Sequence, residues 1–196
     1  MLRLHLAEKW EPKDYLSAIS AVETIYYVAL LNAPPFREIS SAYFDKRSAR
    51  YRPRDGSIEG IAVAIVEEAR LFSDGHDRLI VHQIKHASPG FMDFEGVGQV
   101  ATAMDSAFGR IIDVFTNRRM RRERDERSSV ETEIARENLN SIKIENARML
   151  LELGRDYPEI ARQRDLLEIL VGQQSKIEDL AGRGLITDQR RHEDDE

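Results

Sequence analysis

An α+β fold is what the sequence predicts: a small N-terminal α/β head of strand, helix, helix and hairpin, then long C-terminal helices forming a coiled-coil-like stalk or an αα-hairpin. Three observations predict it. The chain begins with leucines alternating with polar residues. Two β-rich segments flank an Ala-Ser-Pro-Gly corner at residues 87–90. Beyond Gly98 the composition changes abruptly, with one glycine (Gly109) before Gly154 and no proline before Pro158. The expected divisions are a head at 1–96, a helical region at 97–186 and a frayed acidic tail at 187–196.

Leu2, Leu4 and Leu6 alternate with Arg3 and His5, the period-2 signature of a half-buried strand. Trp10 and Pro12 end it. From Asp14, an N-cap by residue type, Tyr15, Ile19, Val22, Tyr26, Ala29 and Leu30 recur at three- and four-residue steps until Ala33-Pro34-Pro35 stops the helix. Residues 36–44 fit either a short helix or a strand, and 45–56 read as a basic exposed loop. Residues 58–71 are ambiguous as well. Ile58, Ile61, Ile65 and Ala69 suit a helical face while the β-branched run suits a strand, and the helix is preferred. Residues 78–86 read as one strand and 90–96 as a second. Between them Ser88-Pro89 initiates a turn, with Gly90 available for positive φ.

The helical region carries two apolar seams. Val97, Ala101, Met104, Phe108, Ile111 and Phe115 step by 4, 3, 4, 3, 4, and so do Ala135, Leu139, Ile142, Asn146, Met149 and Leu153. Asn146 either fixes register within its seam or lies at a hairpin edge facing water. The segment 118–127 between the seams holds six arginines and three acids, a charge-laced solvated helix by pattern, with nucleic acid or an acidic protein surface as alternatives. A last helix spans roughly Pro158 to Ala181. One continuous helix over 97–153 would be roughly 85 Å long at 1.5 Å per residue, and such a rod needs a second chain to cover its seam. A break near Ser128-Ser129 would instead fold it back. A homo-oligomer is therefore expected, with Val97, Met104, Phe108, Ile111, Phe115, Leu139, Ile142, Asn146, Met149 and Leu153 as its seam.

Composition limits the chemistry. In 196 residues there are 35 acidic and 29 basic side chains, a net charge of −6, which argues against a wholesale polyanion binder. The chain has no cysteine, so disulfides, thiolate catalysis and cysteine-ligated metals are excluded. With no apolar run of membrane-spanning length, a soluble cytoplasmic protein is expected, without membrane contact.

His82 and His86 share a face if their segment is a strand, yet would lie roughly 13 Å apart at about 3.3 Å per residue, too far to chelate one ion. His86 and Ser88 lack a nucleophile-elbow context, and Gly96 and Gly98 match neither the dinucleotide fingerprint nor the P-loop. No catalytic residue, metal or cofactor is expected. The basic loop is the other candidate site. Lys46, Arg47, Arg50, Arg52 and Arg54 interleave with Tyr43 and Tyr51, the mixture of cations and aromatic platforms that suits single-stranded nucleic acid or an anionic ligand.

The leading expectation is a non-enzymatic, self-associating adaptor or regulatory module, its helices mediating oligomerisation and its head holding a protein partner or small anionic ligand. The second is a nucleic-acid-binding regulator using the basic loop and the arginine-rich helix. The third is an enzyme with an unrecognised site near His82 and His86.

Overall fold

A computed structural model of the chain describes residues 1–7, 10–33, 57–73, 75–85, 90–122, 129–151 and 160–187. In chain order its elements are β1 (Leu2–Leu6), α1 (Pro12–Asn32), α2 (Ile58–Phe72), β2 (Ile80–Lys85), β3 (Gly90–Glu95), α3 (Gly98–Arg122), α4 (Ser129–Leu151), α5 (Ile160–Gly182) and β4 (Ile186–Thr187). The mixed helix-and-sheet class agrees with expectation.

The strands form one antiparallel sheet in the order β2-β3-β1-β4. Alternation sorts its two faces. Leu2, Leu4 and Leu6 of β1 are buried beside Met92 and Phe94 of β3, in a register that sets Leu2 opposite Phe94 and Leu4 opposite Met92. Arg3 lies opposite Asp93 on the other face, where its guanidinium donates to both carboxylate oxygens at 2.6 and 2.7 Å. Gly90 is the first residue of β3, and the turn expected at 86–89 lies outside the described residues. The positive φ among the described glycines is at Gly184 (72°), in the turn that leads into β4.

Helix α1 begins three residues earlier than an Asp14 cap would place it. Glu11 is the N-cap, Pro12 opens the first turn with its φ already helical, and Asp14 sits at the third helical position. The Glu11 N–H donates to the Asp14 carboxylate at 2.9 Å, half of a capping box. Asp14 is therefore a capping partner rather than the cap. Along α1, Ala18, Ala21, Val22, Ile25, Tyr26, Val28 and Ala29 are all buried, so this helix is the centre of the core. The ambiguous segment at 58–72 is helical. Ser57 caps it by accepting the Gly60 N–H at 3.0 Å, and Ala62, Ile65, Val66 and Ala69 form its buried face. Packing on α1 decides what β propensity left open.

The single long rod does not form. The Asn146 amide nitrogen donates to the Ala107 carbonyl at 2.9 Å, although the two residues are 39 apart in sequence. In one continuous helix they would stand about 58 Å apart at 1.5 Å per residue. The chain thus turns back between α3 and α4, as the alternative break near Ser128 requires. Helices α4 and α5 also pack together, and α3, α4 and α5 all lie against α1 rather than projecting from it. Met104, Phe108, Ile111, Leu139, Asn146 and Leu150 are consequently buried within one chain, while Val97, Phe115 and Met149 are half-buried at its margin. Ile142 is half-buried too, and Leu153 lies outside the described residues. One apolar cluster runs from Leu2 to Ile186 across the expected boundary at 96/97, which marks a change of secondary structure.

A polar layer crosses the helical side. Lys143 is buried and donates to Ser175 Oγ at 3.1 Å and Glu178 Oε2 at 2.6 Å, while the Gln174 amide donates to the Lys143 carbonyl at 3.1 Å. Such groups fix how α4 lies on α5, because sliding either helix would strand a desolvated donor. Asn146 does the same between α4 and α3, fully buried rather than facing water.

Sheet and helices are joined at Tyr26. Its hydroxyl donates to the Asp77 carbonyl at 2.7 Å and accepts the Val97 N–H at 3.0 Å. Burial holds this phenol above the usual tyrosine range. A Cβ on Gly96 would lie 2.5 Å from the Tyr26 ring, so glycine there permits the close approach of backbone to ring. Nothing lies within 4 Å of such an atom on Gly98. The glycine-rich entry to α3 is thus a seat for tyrosine, and its first N–H is already bonded.

Candidate functional site

The two edges of the sheet are built differently, and the difference locates the candidate site. At one edge, β4 pairs with β1 through Ile186 opposite Leu6 and Thr187 opposite His5, so Thr187 belongs to the sheet rather than to a frayed tail. Around it, the Ala7 N–H and the Trp10 indole N–H both donate to the Leu185 carbonyl, at 2.8 and 2.9 Å. Arg183 pairs with Asp14 at 2.8 Å. Nothing in the sequence pattern announces β4, since two residues carry no periodicity.

At the other edge all six residues of β2 are exposed. Ile80, Val81 and Ile84 show 48, 39 and 44% of their surface to solvent, large values for aliphatic side chains in a strand. The extensive packing of β2 is with β3 alone. Its register runs Ile80 opposite Glu95, Val81 opposite Phe94, Gln83 opposite Asp93, Ile84 opposite Met92 and Lys85 opposite Phe91, with an irregularity at His82. Val81 and Ile84 are three apart and would face opposite ways in a regular strand. The extra residue brings both onto the helix-side face with Phe94 and Met92. Ile80, Gln83 and Lys85 share the open face.

That open face holds the charged groups. Arg3 is held above its ordinary pKa by the hydrogen bond to Asp93, and its guanidinium carbon lies 4.2 Å from the centroid of the Phe91 ring. Lys85 Nζ stands 5.8 Å from the same ring. The paired forks of Arg3 and Asp93 neutralise each other, so Asp93 is not poised as a general base. His82 lies on the exposed strand with Nδ1 3.7 Å from a Glu95 carboxylate oxygen. Among the described residues no group of three or more His, Cys, Asp or Glu could hold a metal ion.

The remaining expected sites divide cleanly. Lys46, Arg47, Arg50, Tyr51, Arg52 and Arg54 lie outside the described residues, as do His86, Ser88 and residues 123–128. Helix α3 runs on through the first five residues of the arginine-rich stretch, 118–122. The two seams are brought together, inside the chain. The exposed β2 edge was missed, and its available signal was a strand with apolar residues at 80, 81 and 84 that no single alternating face accommodates. Among the described residues no helix is long and apolar enough to cross a membrane. Compared with family models, curated proteins and solved structures, the chain matches none.

Proposed function

We propose that this chain is a non-enzymatic, self-associating adaptor or regulatory module of the cytoplasm, and that β2 rather than the helical seams supplies its association surface. The observation carrying this reading is the edge strand itself: six exposed residues, three of them large and aliphatic, on a sheet whose opposite edge strand is only two residues long. An edge strand presents a row of unpaired backbone groups, and a second strand is what satisfies them. The seam residues support the reading indirectly, because their burial inside the chain removes the helical seams as an association surface, while three exposed aliphatic side chains stand together on β2. Sedimentation equilibrium of the full chain from 1 to roughly 100 µM tests it, a range in which a modest interface is populated. A concentration-dependent dimer is the expected result, and a monomer throughout removes the reading.

The basic loop favours a second reading, a nucleic-acid-binding regulator, through its five cations and Tyr51 within residues 46–54. Reversing the charge of Arg47, Arg50 and Arg52 would then abolish salt-sensitive binding of a single-stranded oligonucleotide while leaving the oligomeric state unchanged.

A further inference from the structure

We infer that two copies of this chain join β2 to β2 in one antiparallel register, with residue i of one copy opposite residue 165 − i of the other, making a continuous eight-stranded sheet. The inference rests on the self-associating reading above and specifies its geometry.

A two-fold axis perpendicular to the sheet relates the copies, so both present the same face on the same side. Residues directly opposed across an antiparallel pair must therefore share a face. Val81 and Ile84 belong to the helix-side face, and Ile80, Gln83 and Lys85 to the open face. The register summing to 165 sets Ile80 opposite the second copy's Lys85, open on open, and Val81 opposite its Ile84, helix side on helix side. His82 meets Gln83. A sum of 164 would oppose Ile80 to Ile84 and a sum of 166 would oppose Val81 to Lys85, each crossing the faces. Among the near-central registers, 165 uses all six residues without a mismatch. The irregularity at His82 makes this match available, because a strand without the extra residue has even sums only.

The pairing is also chemically complementary. Val81 and Ile84 of one copy with Ile84 and Val81 of the other form a four-residue aliphatic strip on the side where the helices do not cover β2. Each strand carries a cation at Lys85 and no acid. In this register the second copy's Lys85 falls in the row Glu95–Ile80–Lys85, two strand spacings or about 10 Å from the Glu95 backbone. A lysine and a glutamate side chain span that distance over Ile80. Glu95 is two-thirds exposed and sits next to the edge strand, where it can receive that cation. Six residues a side bury less than a standard interface of about 1,600 Å², so the dimer is expected to dissociate in the micromolar range.

The chain has no cysteine, which makes the register directly testable. V81C and I84C are prepared separately in the full chain, then oxidised alone and as a mixture with copper–phenanthroline and oxygen. The oxidant takes two electrons and two protons from each thiol pair as the disulfide forms. The expected result is a covalent dimer in the mixture and little in either variant alone. Opposed strand residues lie within disulfide reach, whereas like positions are displaced by two ladder steps, roughly 7 Å along the strand, and by the strand spacing across it. I84E should weaken dimerisation at least tenfold by sedimentation without altering the unfolding of the monomer. A wild-type dimer with no mixed cross-link, or with equal cross-linking of the single variants, overturns the register and leaves self-association standing. A wild-type monomer at all concentrations overturns both.

Discussion

At one edge of the sheet β4 is two residues long, yet hydrogen bonds from Ala7 and Trp10 to Leu185 and the Arg183–Asp14 ion pair hold it down. At the other edge β2 is six residues long and leans on β3 alone. Length is thus a poor guide to how firmly a strand is held. The short strand is fixed by groups outside itself, all reaching it from β1 and the two ends of the helical layer. Among the described residues, the long strand has its own ladder to β3 and no other extensive packing. Substitutions should therefore cost far more stability at β4 than at β2.

The largest expected contrast sets Ile186→Asp against Ile84→Asp. Ile186 is buried between β1 and the helices, and an unpaired carboxylate there should cost more than about 3 kcal/mol in denaturant unfolding. The same change at exposed Ile84, measured where the chain is monomeric, should cost about 0.5 kcal/mol or less. Equal costs would break the comparison.

Gly96→Ala ranks next, at about 1–3 kcal/mol, because its Cβ would meet the Tyr26 ring that ties sheet to helices. Combined with Tyr26→Leu the loss should be smaller than the sum of the two, since the contact responsible is already gone. Strict additivity in thermal unfolding would place the strain elsewhere.

Trp10→Phe keeps an aromatic ring but removes the indole donor to Leu185 and part of a buried side chain, for about 1–2 kcal/mol. Hydrogen exchange of the Ala7 amide, which shares that carbonyl, should speed up while amides of β3 are unaffected.

The smallest effect concerns pH. The Glu11 N–H holds the Asp14 carboxyl below its ordinary range; burial opposes this and Arg183 reinforces it. A folded value below the unfolded one, near 3.9, means the contribution is present above about pH 4 and is lost as pH falls through the folded value. Asp14→Asn should flatten the acid limb of the stability curve and leave the neutral-to-alkaline limb unchanged in shape.

How legible this fold was depends on what kind of information each element needed. β1 and α1 follow from local alternation and helical spacing, since Leu2, Leu4 and Leu6 each report their own burial. The two seams were legible as buried stripes, but periodicity states that a residue is covered and is silent on which chain covers it. The Asn146–Ala107 bond answers that, and no spacing rule contains it. Asp14 was recognisable as a capping residue, while its place in the cap depended on Pro12 opening the helix. β4 had no local signature, and the irregularity at His82 had only the broken alternation of Ile80, Val81 and Ile84, because both arise from pairing with residues distant in sequence. The candidate edge was accordingly half visible: its apolar residues stood in the sequence, and the face that Val81 and Ile84 share did not.

The Trp10–Leu185 bond has a consequence in time. Its partners are 175 residues apart. At a synthesis rate of roughly 5–20 residues per second, Trp10 emerges about ten to thirty seconds before the carbonyl it holds. Once β3 has also emerged, β1 can pair with it on one side while its other side waits open. The nascent chain therefore carries β1 as an edge strand that β4 covers at His5 and Leu6 only at the end of synthesis, and neighbouring chains on one message would meet during the period when each is most able to pair with the other.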